Sequence, residues 1–403
     1  MAKNDSNGKV KAGSTAASRR TFLRTAGALG VVGATGLAGC SGGGGGNGSG
    51  GNGTSGGSGG GNGSGGNGSG GGGGGSNNLV WDAGGTGGTY YPLSNEIKQV
   101  VQSETDFSLQ VRSTGASVEN VGSLDGGSAD FALIQNDIAS FAKNGTGIDA
   151  FKGNAVKSLR GVGTLYPETI TIVTPGNSDV TEVADLSGKT INTGDLGSGT
   201  QVDAKKILEA VGVSDYTEQN TDFSQAAEQI QNGDIDAAFV VGGWPVGAIA
   251  ELAQTSSIGI VAIDGKERKQ VKQAASFFAN DKIPAGTYQG VSKAKPTVAV
   301  QAMIATTTQV PKETVQTVTA AIFDNVSDLT IKTEFISAGS ALEGMPIDLH
   351  PGAAAYFDSA GGSGTASGTT MGGGTTMGGS GGGTDEGMGT DAGTAMGNGT
   401  TSS

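Results

Sequence analysis

Three loops of the sequence combine glycine with small hydroxyl side chains, and each precedes a predicted helix. They span 84–92, 113–117 and 194–200. Such loops bring backbone N–H groups and hydroxyls to a helix start, where the aligned peptide dipoles attract a carboxylate or a phosphate. The loops therefore predict one site for a small anionic or zwitterionic solute. Plain N-capping is the alternative for Ser117 and Thr200, because a hydroxyl at a helix start also satisfies backbone donors.

Other chemistries for these loops lack essential residues. A dinucleotide fingerprint begins in the first loop, but Tyr90 occupies the place of its third glycine. No Gly-Lys-Ser/Thr of a phosphate-binding loop follows any of the glycines. His350, the only histidine, is expected to be structural, and the sequence before Ser198 departs from the nucleophile elbow. We therefore expect a binding protein without cofactor or metal; a surface hydrolase stays open as the lesser alternative.

Short apolar strands and amphipathic helices alternate between 79 and 357, and they must position these loops. The helix after the third loop, for example, has Ala204, Ile207, Leu208 and Val211 on one face. This alternation predicts an α/β fold with a mostly parallel sheet and helices on both of its faces. In such sheets ligands bind at the carboxyl ends of the strands, where the three loops lie. The length of the core predicts two lobes.

The N-terminal residues have the pattern of an export signal. Arg19 and Arg20 precede a short apolar stretch that ends in Leu-Ala-Gly-Cys, with Cys40 the only cysteine. We expect residues 1–39 to be a twin-arginine lipoprotein signal peptide and Cys40 to receive a lipid that holds the chain at the outer face of the cytoplasmic membrane. Residues 40–78 then form a disordered Gly/Asn/Ser linker, and 358–403 a disordered Gly/Thr/Met-rich tail.

The charge balance bears on the choice of partner. The formal net charge is −13, and it becomes −18 without residues 1–39, which hold six basic side chains and one acidic side chain. A nucleic-acid partner is disfavoured, because phosphate binding needs a basic patch that the sequence lacks.

Eight short motifs in order resemble one family across almost the whole core. They are GTGGTYYP at 85–92, STGASVEN at 113–120, ADFALIQND at 129–137, LYPE at 165–168, DLSGK at 185–189, GSGT at 197–200, IPAGTY at 283–288 and LHPGA at 349–353. Together they resemble the TAXI group of TRAP-transporter solute receptors, here as a haloarchaeal-type lipoprotein.

The resemblance implies a two-lobed periplasmic-binding-protein-like fold of type II with a cleft between the lobes. Lobe I would comprise 79–166 and 290–357, lobe II 167–289, and the two segments of the hinge 167–173 and 288–298. The protein would close around a glutamate-like amino acid or a dicarboxylate and deliver it to a TRAP-type integral-membrane permease. A binding protein of an ABC transporter or of a sensor is the alternative.

The resemblance also implies a set of ligand-binding residues: Thr86, Gly87, Gly88, Tyr90, Ser117, Asn120, Gln135, Asp137, Tyr166, Glu168, Ser198, Gly199 and Thr200. Within this set we expect Ser198 and Thr200 to hold a carboxylate, Tyr90 to pack on the stem of the ligand, and Glu168 or Asp137 to bind an ammonium group. Ala116 replaces a glycine of the family pattern, so the backbone there is expected to approach the ligand less closely. The segment 241–245, which contains Trp244, is expected either to shape the ligand or to bury the ring.

Overall fold

The computed structural model describes residues 77–360, which belong to one compact unit. Its strands are β1 (Asn78–Asp82), β2 (Ser108–Arg112), β3 (Phe131–Gln135), β4 (Leu159–Pro175), β5 (Thr190–Asn192), β6 (Thr217–Gln219), β7 (Ala237–Gly242), β8 (Ile258–Val261), β9 (Ala279–Ile283) and β10 (Lys295–Thr307). The signal peptide, Cys40, nearly all of the linker and the tail expected from the sequence lie outside the described residues.

Helices follow most of the strands. They are α1 (Tyr90–Glu104), α2 (Ser117–Asp125), α3 (Asn136–Asn144), α4 (Gly199–Val211), α5 (Phe223–Asn232), α6 (Gly247–Thr255), α7 (Gly265–Ala274), α8 (Lys312–Asp324) and α9 (Pro351–Ser359), with short 3-10 turns at Val183–Leu186 and Val326–Asp328. The alternation of strand and helix confirms the α/β class expected from the sequence.

The ten strands form one curled sheet in the order β2-β1-β3-β10-β4-β7-β5-β6, with β8 on β4 and β9 on β10. The first half of the sheet consists of β2, β1, β3 and the parts of the long strands that pair with them. The second half consists of β7, β5, β6 and the parts of the long strands that pair with those. Strands β4 and β10 extend through both halves: β10 pairs with β3 through Ala302–Ala305 and with β9 through Lys295–Ala299.

The sheet is mixed, so the expectation of a mostly parallel sheet was wrong. Pairs within each half, such as β1 with β2 and β5 with β6, are parallel. Every pairing that involves β4 or β10 is antiparallel. The reason is that these two long strands return the chain from one half to the other. A sequence pattern of helix crossovers, which requires parallel neighbours, does not reveal them.

Apolar cores lie on both faces of each half. In the first half α1, α8 and α9 cover one face around Trp81 and Phe131, whose rings stack at 5.7 Å. Helices α2 and α3 cover the other face. In the second half α4 and α7 pack on one face and α5 and α6 on the other. Each half therefore has the two covered faces that hold its loops rigidly at the ends of the strands.

His350 has the structural role that the sequence suggested. It is 2 % exposed, and its Nδ1 accepts a hydrogen bond from the Gly352 amide at the start of α9. The side chain therefore caps a helix in the interior of the first half.

Candidate functional site

A cavity lies at the carboxyl ends of β1, β3 and β5, between the two halves of the sheet. Its solvent-accessible volume is about 60 Å³. All three glycine loops expected from the sequence line it, together with β4 and the start of α5. The lining residues are Gly84, Gly85, Gly88, Thr89, Tyr90, Thr114, Gly115, Ala116, Ser117, Gln135, Glu168, Asp195, Ser198, Gly199, Thr200, Asp222, Phe223 and Val241.

Eight of the thirteen predicted site residues line this cavity: Gly88, Tyr90, Ser117, Gln135, Glu168, Ser198, Gly199 and Thr200. The other five, Thr86, Gly87, Asn120, Asp137 and Tyr166, do not. Thr86 is exposed on the outside of the first loop. The three loops thus line one cavity, but the sequence could not tell which of their side chains face inward, because this depends on the tertiary path of each loop.

Tyr90 and Glu168 form the polar contact in the centre of the site. The Tyr90 hydroxyl, at the start of α1, donates to Glu168 Oε2 of β4 at 2.7 Å. Both side chains are buried. Burial raises the pKa of the Glu168 carboxyl to about 8, although the hydrogen bond from Tyr90 acts in the opposite direction. At neutral pH Glu168 is therefore mostly a neutral carboxyl group, whose carbonyl oxygen can still accept a hydrogen bond from an ammonium group that enters the cavity.

The start of α4 provides donors on the opposite wall. Ser198 is its N-cap: its hydroxyl accepts from the Gln201 amide at 3.1 Å and donates to the Asp195 carbonyl at 2.7 Å. Ser198 is thus the residue that caps the helix. Thr200, for which capping was the alternative, stands in the first turn and lines the cavity. The first-turn amides of α4 and the Thr200 hydroxyl are suited to a carboxylate, because the helix dipole is positive at this end.

The second loop is held by side chains rather than by a ligand. Asn120 donates to the carbonyls of Ala83 and Leu133 at 2.7 and 2.8 Å and accepts from the Thr114 hydroxyl at 2.7 Å. All of its polar atoms serve to join β1, β3 and α2. The Ser117 hydroxyl accepts a hydrogen bond from the backbone N–H of Gln135 at 3.1 Å. Asn120 is therefore a brace behind the site.

Ala116, the residue before α2, has a strained backbone. Its φ and ψ are 71° and −145°, a region that side chains other than hydrogen rarely tolerate. The turn thus has a backbone conformation that suits glycine, so the looser approach expected at Ala116 concerns only its methyl group. Its Cβ lies 3.5 Å from the position that a Cβ on Gly84 would take.

Two helix starts are closed by carbonyls from the opposite half. The amides of Val118 and Glu119 in the first turn of α2 donate to the Gly197 carbonyl at 3.2 and 3.3 Å. In return, the Ala248 amide of α6 donates to the Gly87 carbonyl at 3.1 Å. These reciprocal contacts join the third loop to α2 and the first loop to α6, each across the junction of the two halves. The first-turn N–H groups of α2 thus make hydrogen bonds within the protein. The N–H groups that face the cavity belong to α4.

Three further side chains lie behind the cavity wall. Asp137 in the first turn of α3 and Asp203 in α4 are buried, and within residues 77–360 none of their four carboxylate oxygens has a hydrogen-bond partner. The Tyr166 hydroxyl is also buried without a partner in that range. Burial raises the pKa of Asp137 to about 7 and that of Asp203 well above its ordinary value. The alternative assignment of the ammonium contact to Asp137 is thus disfavoured by its place behind the wall.

Asp203 is not among the site residues predicted from the sequence, although its place in the sequence pattern of α4 is unusual. It lies four residues before Ile207, so it shares the apolar face of α4. An acidic residue on a buried helix face is unusual, and it indicates either a partner or a function.

Trp244 is enclosed by residues that follow β10. The Lys332 ammonium lies 4.7 Å from the centre of the Trp244 ring and donates to the Trp244 carbonyl. The ring of Phe335 meets the Trp244 ring edge-on at 6.4 Å. Trp244 is half-buried and is not among the cavity residues, so packing of its ring within the protein is the interpretation that applies to it, while Val241 does line the cavity.

The charges around the cavity all have one sign. Its ionisable lining residues, apart from Tyr90, are Glu168, Asp195 and Asp222, and no lysine or arginine of the described range is among them. Arg112 is paired with Asp82 at 2.6 Å. In the same range no cluster of three potential ligands is suited to a metal ion. An entering solute therefore meets carboxylate acceptors on one wall and helix-start donors on the other.

Comparison with known proteins bears on this arrangement. A model of the NMT1-like family matches residues 82–361, which include every element that lines the cavity. The chain belongs to the NMT1-like family. Proteins of the NMT1-like family are extracytoplasmic solute-binding proteins of transporters.

Solved structures also match the NMT1-like chain. An ancestral arginine-binding protein bound to arginine is 14 % identical, with 64 % of this chain and 96 % of that chain covered and a TM-score of 0.40. The alkanesulfonate-binding protein from Xanthomonas axonopodis pv. citri bound to MOPS is 18 % identical, with 62 % and 76 % covered and a TM-score of 0.38. A protein from Bordetella bronchiseptica RB50 is 17 % identical, with 71 % and 81 % covered and a TM-score of 0.43.

None of the helices between residues 77 and 360 of the NMT1-like chain has the length and apolar character to cross a bilayer.

Proposed function

We propose that this protein is the solute receptor of a TRAP-type transporter of the TAXI group, and that it captures a small amino acid of the glutamate type. The cavity between the Glu168 carboxyl and the start of α4 is the observation that carries the proposal. An amino acid has both groups that these walls would bind. Its ammonium would face Glu168, and its carboxylate would face the α4 amides and the Thr200 hydroxyl.

Among the ligands implied by the sequence, an amino acid suits the cavity better than a dicarboxylate without an amine. A dicarboxylate brings no cation to a lining whose charged residues are all acidic, whereas glutamate brings an ammonium group that Glu168 can bind. The Tyr90 ring, held by its bond to Glu168, would pack on the carbon chain of the ligand.

Lobe closure is the mechanism that we propose for capture. Lobe I would be 79–166 with 290–357, lobe II 167–289, and the hinge 167–173 with 288–298. Support comes from β4 and β10, since both hinge segments include parts of these through-running strands. The reciprocal contacts of Gly197 with α2 and of Gly87 with α6 would form on closure and open again for release to the permease.

Calorimetry on the mature protein at high salt tests the ligand. L-Glutamate is expected to bind one-to-one and succinate at least tenfold more weakly. Equal binding of the two would refute the ammonium contact at Glu168, and no heat with any amino acid or dicarboxylate would refute the proposed ligand class altogether. Uptake into vesicles that contain the permease then separates the transporter types, because a TRAP system uses an ion gradient and an ABC system uses ATP.

We also propose that the protein is exported by the twin-arginine route and anchored through Cys40. The variant Cys40→Ser should move from the membrane fraction to the medium, and Arg19→Lys with Arg20→Lys should accumulate in the cytoplasm. Retention of the Cys40→Ser variant in washed membranes would contradict the lipid anchor.

A further inference from the structure

Two buried carboxyl groups, one from each half of the sheet, lie behind the candidate site without hydrogen-bond partners. Asp137 belongs to α3, which follows β3 in the first half. Asp203 belongs to α4, which follows β5 in the second half. They are 1 % and 0 % exposed, and their four oxygens lack a partner throughout the described range. Neither residue lines the cavity, so a bound solute does not explain them.

The helix starts that hold these carboxyls are packed against each other. The Gln135 side chain, just before α3, lies against Gly199, the first residue of α4. Val202 of α4 packs on the apolar cluster of α2 and α3 in the first half. Next to burial, the Asp137 carboxyl is the second cause that raises the pKa of Asp203. The pair therefore spans the junction that closure would create.

The charged neighbours of the pair are few. Glu168 of β4 adds a second acidic influence on Asp203, and Lys206 of α4 is the cation that acts on Asp137. Other elements pack on the two helices but direct their charged groups elsewhere. Glu119 of α2 accepts from the Gly115 amide, and Glu267 of α7 accepts from the amides of Val183 and Ala184. Strands β3 and β7 have no ionisable residue.

Two ionised carboxylates cannot share this environment at low cost. Burial of an unpaired carboxylate costs several kcal/mol, and a second one nearby adds repulsion. A neutral carboxyl avoids both costs. The pKa of Asp137 is accordingly raised to about 7 and that of Asp203 is raised well above its ordinary value, with burial the main cause in each case.

We propose that closure of the protein takes up a proton from solvent onto the Asp137–Asp203 pair, which makes the pair a pH-dependent latch between the two halves. This inference rests on the proposed lobe closure. In the open form both carboxyls would be hydrated and ionised at neutral pH. On closure at least one of them binds a proton, which leaves the solvent, and the proton returns to solvent when the halves separate. Closure is therefore favoured as pH falls and opposed as pH rises.

The linkage has a measurable size. Where the closed form holds one more proton than the open form, the apparent affinity for a solute falls about tenfold per pH unit. The affected pH range begins near the ordinary pKa of a carboxyl group, about 4, and ends near the raised pKa values of the pair. Neutral pH lies inside this range.

Calorimetry with L-glutamate as the probe tests the latch between pH 5.5 and 8.5, a range in which glutamate does not titrate appreciably. Runs in two buffers of different ionisation enthalpy give the number of protons taken up. The wild-type protein should take up about one proton more than Asp203→Asn, because the variant resembles the protonated form, and a proton gained or lost at Glu168 cancels in this comparison. The affinity of Asp203→Asn should also depend less steeply on pH than that of the wild type. At pH 8.5 this variant should bind at least fivefold more tightly than the wild type.

The matched control is Glu209→Gln, an exposed acidic residue on the same helix, which should leave uptake and pH dependence unchanged. Asp137→Asn should behave like Asp203→Asn. Equal proton uptake by the wild-type protein and Asp203→Asn, or an Asp203→Asn variant that is weaker at every pH with an unchanged slope, would overturn the proposal.

Small-angle scattering without solute separates this inference from the proposed function. The wild-type protein should become more extended between pH 5.5 and 8.5, whereas Asp203→Asn should stay compact. If glutamate does not bind but this difference appears, the ligand assignment fails and the latch stands. If glutamate binds without proton uptake and the radius of gyration is independent of pH in both proteins, the latch fails and the ligand assignment stands.

Discussion

The amide oxygen of Gln135 lies 1.6 Å from the position that a β-carbon would take on Gly199. Gln135 ends β3 in the first half of the sheet, and Gly199 begins α4 in the second half. A side chain at residue 199 would thus force the Gln135 side chain out of its place between the two halves. The contact lies beside the cavity, which both residues line.

Gly199→Ala should therefore weaken solute binding while the fold survives. The backbone of Gly199 does not have a positive φ, so alanine is tolerated locally, and it is also the better helix former. The added methyl group would keep the halves apart. We expect glutamate affinity to fall more than tenfold in calorimetry with the free energy of unfolding reduced by less than about 1 kcal/mol.

Gly247→Ala is the matched control, because Gly247 is the first residue of α6. A β-carbon there would meet only the Gly87 carbonyl, at an ordinary 3.6 Å. This variant should keep wild-type affinity. Equal affinities of the two variants would mean that the contact between Gln135 and Gly199 is not needed for binding.

The local features of the fold were predictable from the sequence. Strand and helix patterns located most of the elements near their observed bounds, such as the strand at 78–82 and the helix that follows Pro311. The direction of the central strands was not predictable. Strands β4 and β10 carry long buried runs, which indicate burial on both faces but do not tell which neighbour each segment pairs with.

The site was predictable at the level of loops. Tyr90, Glu168 and Thr200 do meet around one cavity, since glycine loops at strand ends fall at one edge of a sheet. The inward or outward direction of single residues was not predictable. Asn120 is used as a brace and Asp137 lies behind the wall, and both facts follow from contacts with residues far along the chain.

Glu168→Gln should flatten the pH dependence of stability. Burial raises the pKa of Glu168 to about 8, so the folded protein holds a proton that the unfolded chain releases above about pH 4.5. The free energy of unfolding is thus greatest at a pH below the pKa that Glu168 has in the unfolded chain, and it declines as pH rises towards 8. Glutamine still accepts the Tyr90 hydroxyl and cannot ionise. Urea unfolding at pH 5.5 and 8.5 should show a decline that is smaller by roughly 1–3 kcal/mol than in the wild type.

Glu218→Gln is a control of opposite sign. Hydrogen bonds from Thr193, Gln201, Lys205 and Asn220 outweigh partial burial and lower the pKa of Glu218 to about 2. Its contribution to stability is complete above about pH 4.5 and is lost only as pH falls towards 2. The variant should therefore lose stability equally at pH 5.5 and 8.5. A Glu168→Gln decline as steep as that of the wild type would contradict the raised pKa.

Thr200→Val should weaken glutamate binding by about 1–3 kcal/mol, because valine keeps the shape of threonine but removes a donor and acceptor from the cavity wall. Thr200 is 4 % exposed and stands in the first turn of α4. Calorimetry measures the loss. Thr319→Val, in α8 and outside the cavity, removes a hydroxyl that bonds the Val315 carbonyl and should leave the affinity unchanged. Wild-type affinity in Thr200→Val would mean that the carboxylate is held by backbone amides alone or lies elsewhere.

Ala116→Gly should stabilise the protein, against the usual effect of glycine. The φ of 71° and ψ of −145° cost a non-glycine residue about 1–3 kcal/mol, whereas glycine adopts them freely. The greater freedom of glycine in the unfolded chain offsets about 0.5–1 kcal/mol of this gain. The free energy of unfolding in urea should therefore rise by about 1 kcal/mol.

Ala320→Gly provides the reference for glycine without strain, since Ala320 lies inside α8. It should lose about 1 kcal/mol, the ordinary cost of glycine in a helix. The two substitutions remove the same methyl group, so the difference in their effects isolates the backbone conformation at residue 116. A loss of stability in Ala116→Gly equal to that in Ala320→Gly would mean that the turn before α2 relaxes in solution. In that case the first-turn amides of α2 would not be held towards the Gly197 carbonyl as the structure has them.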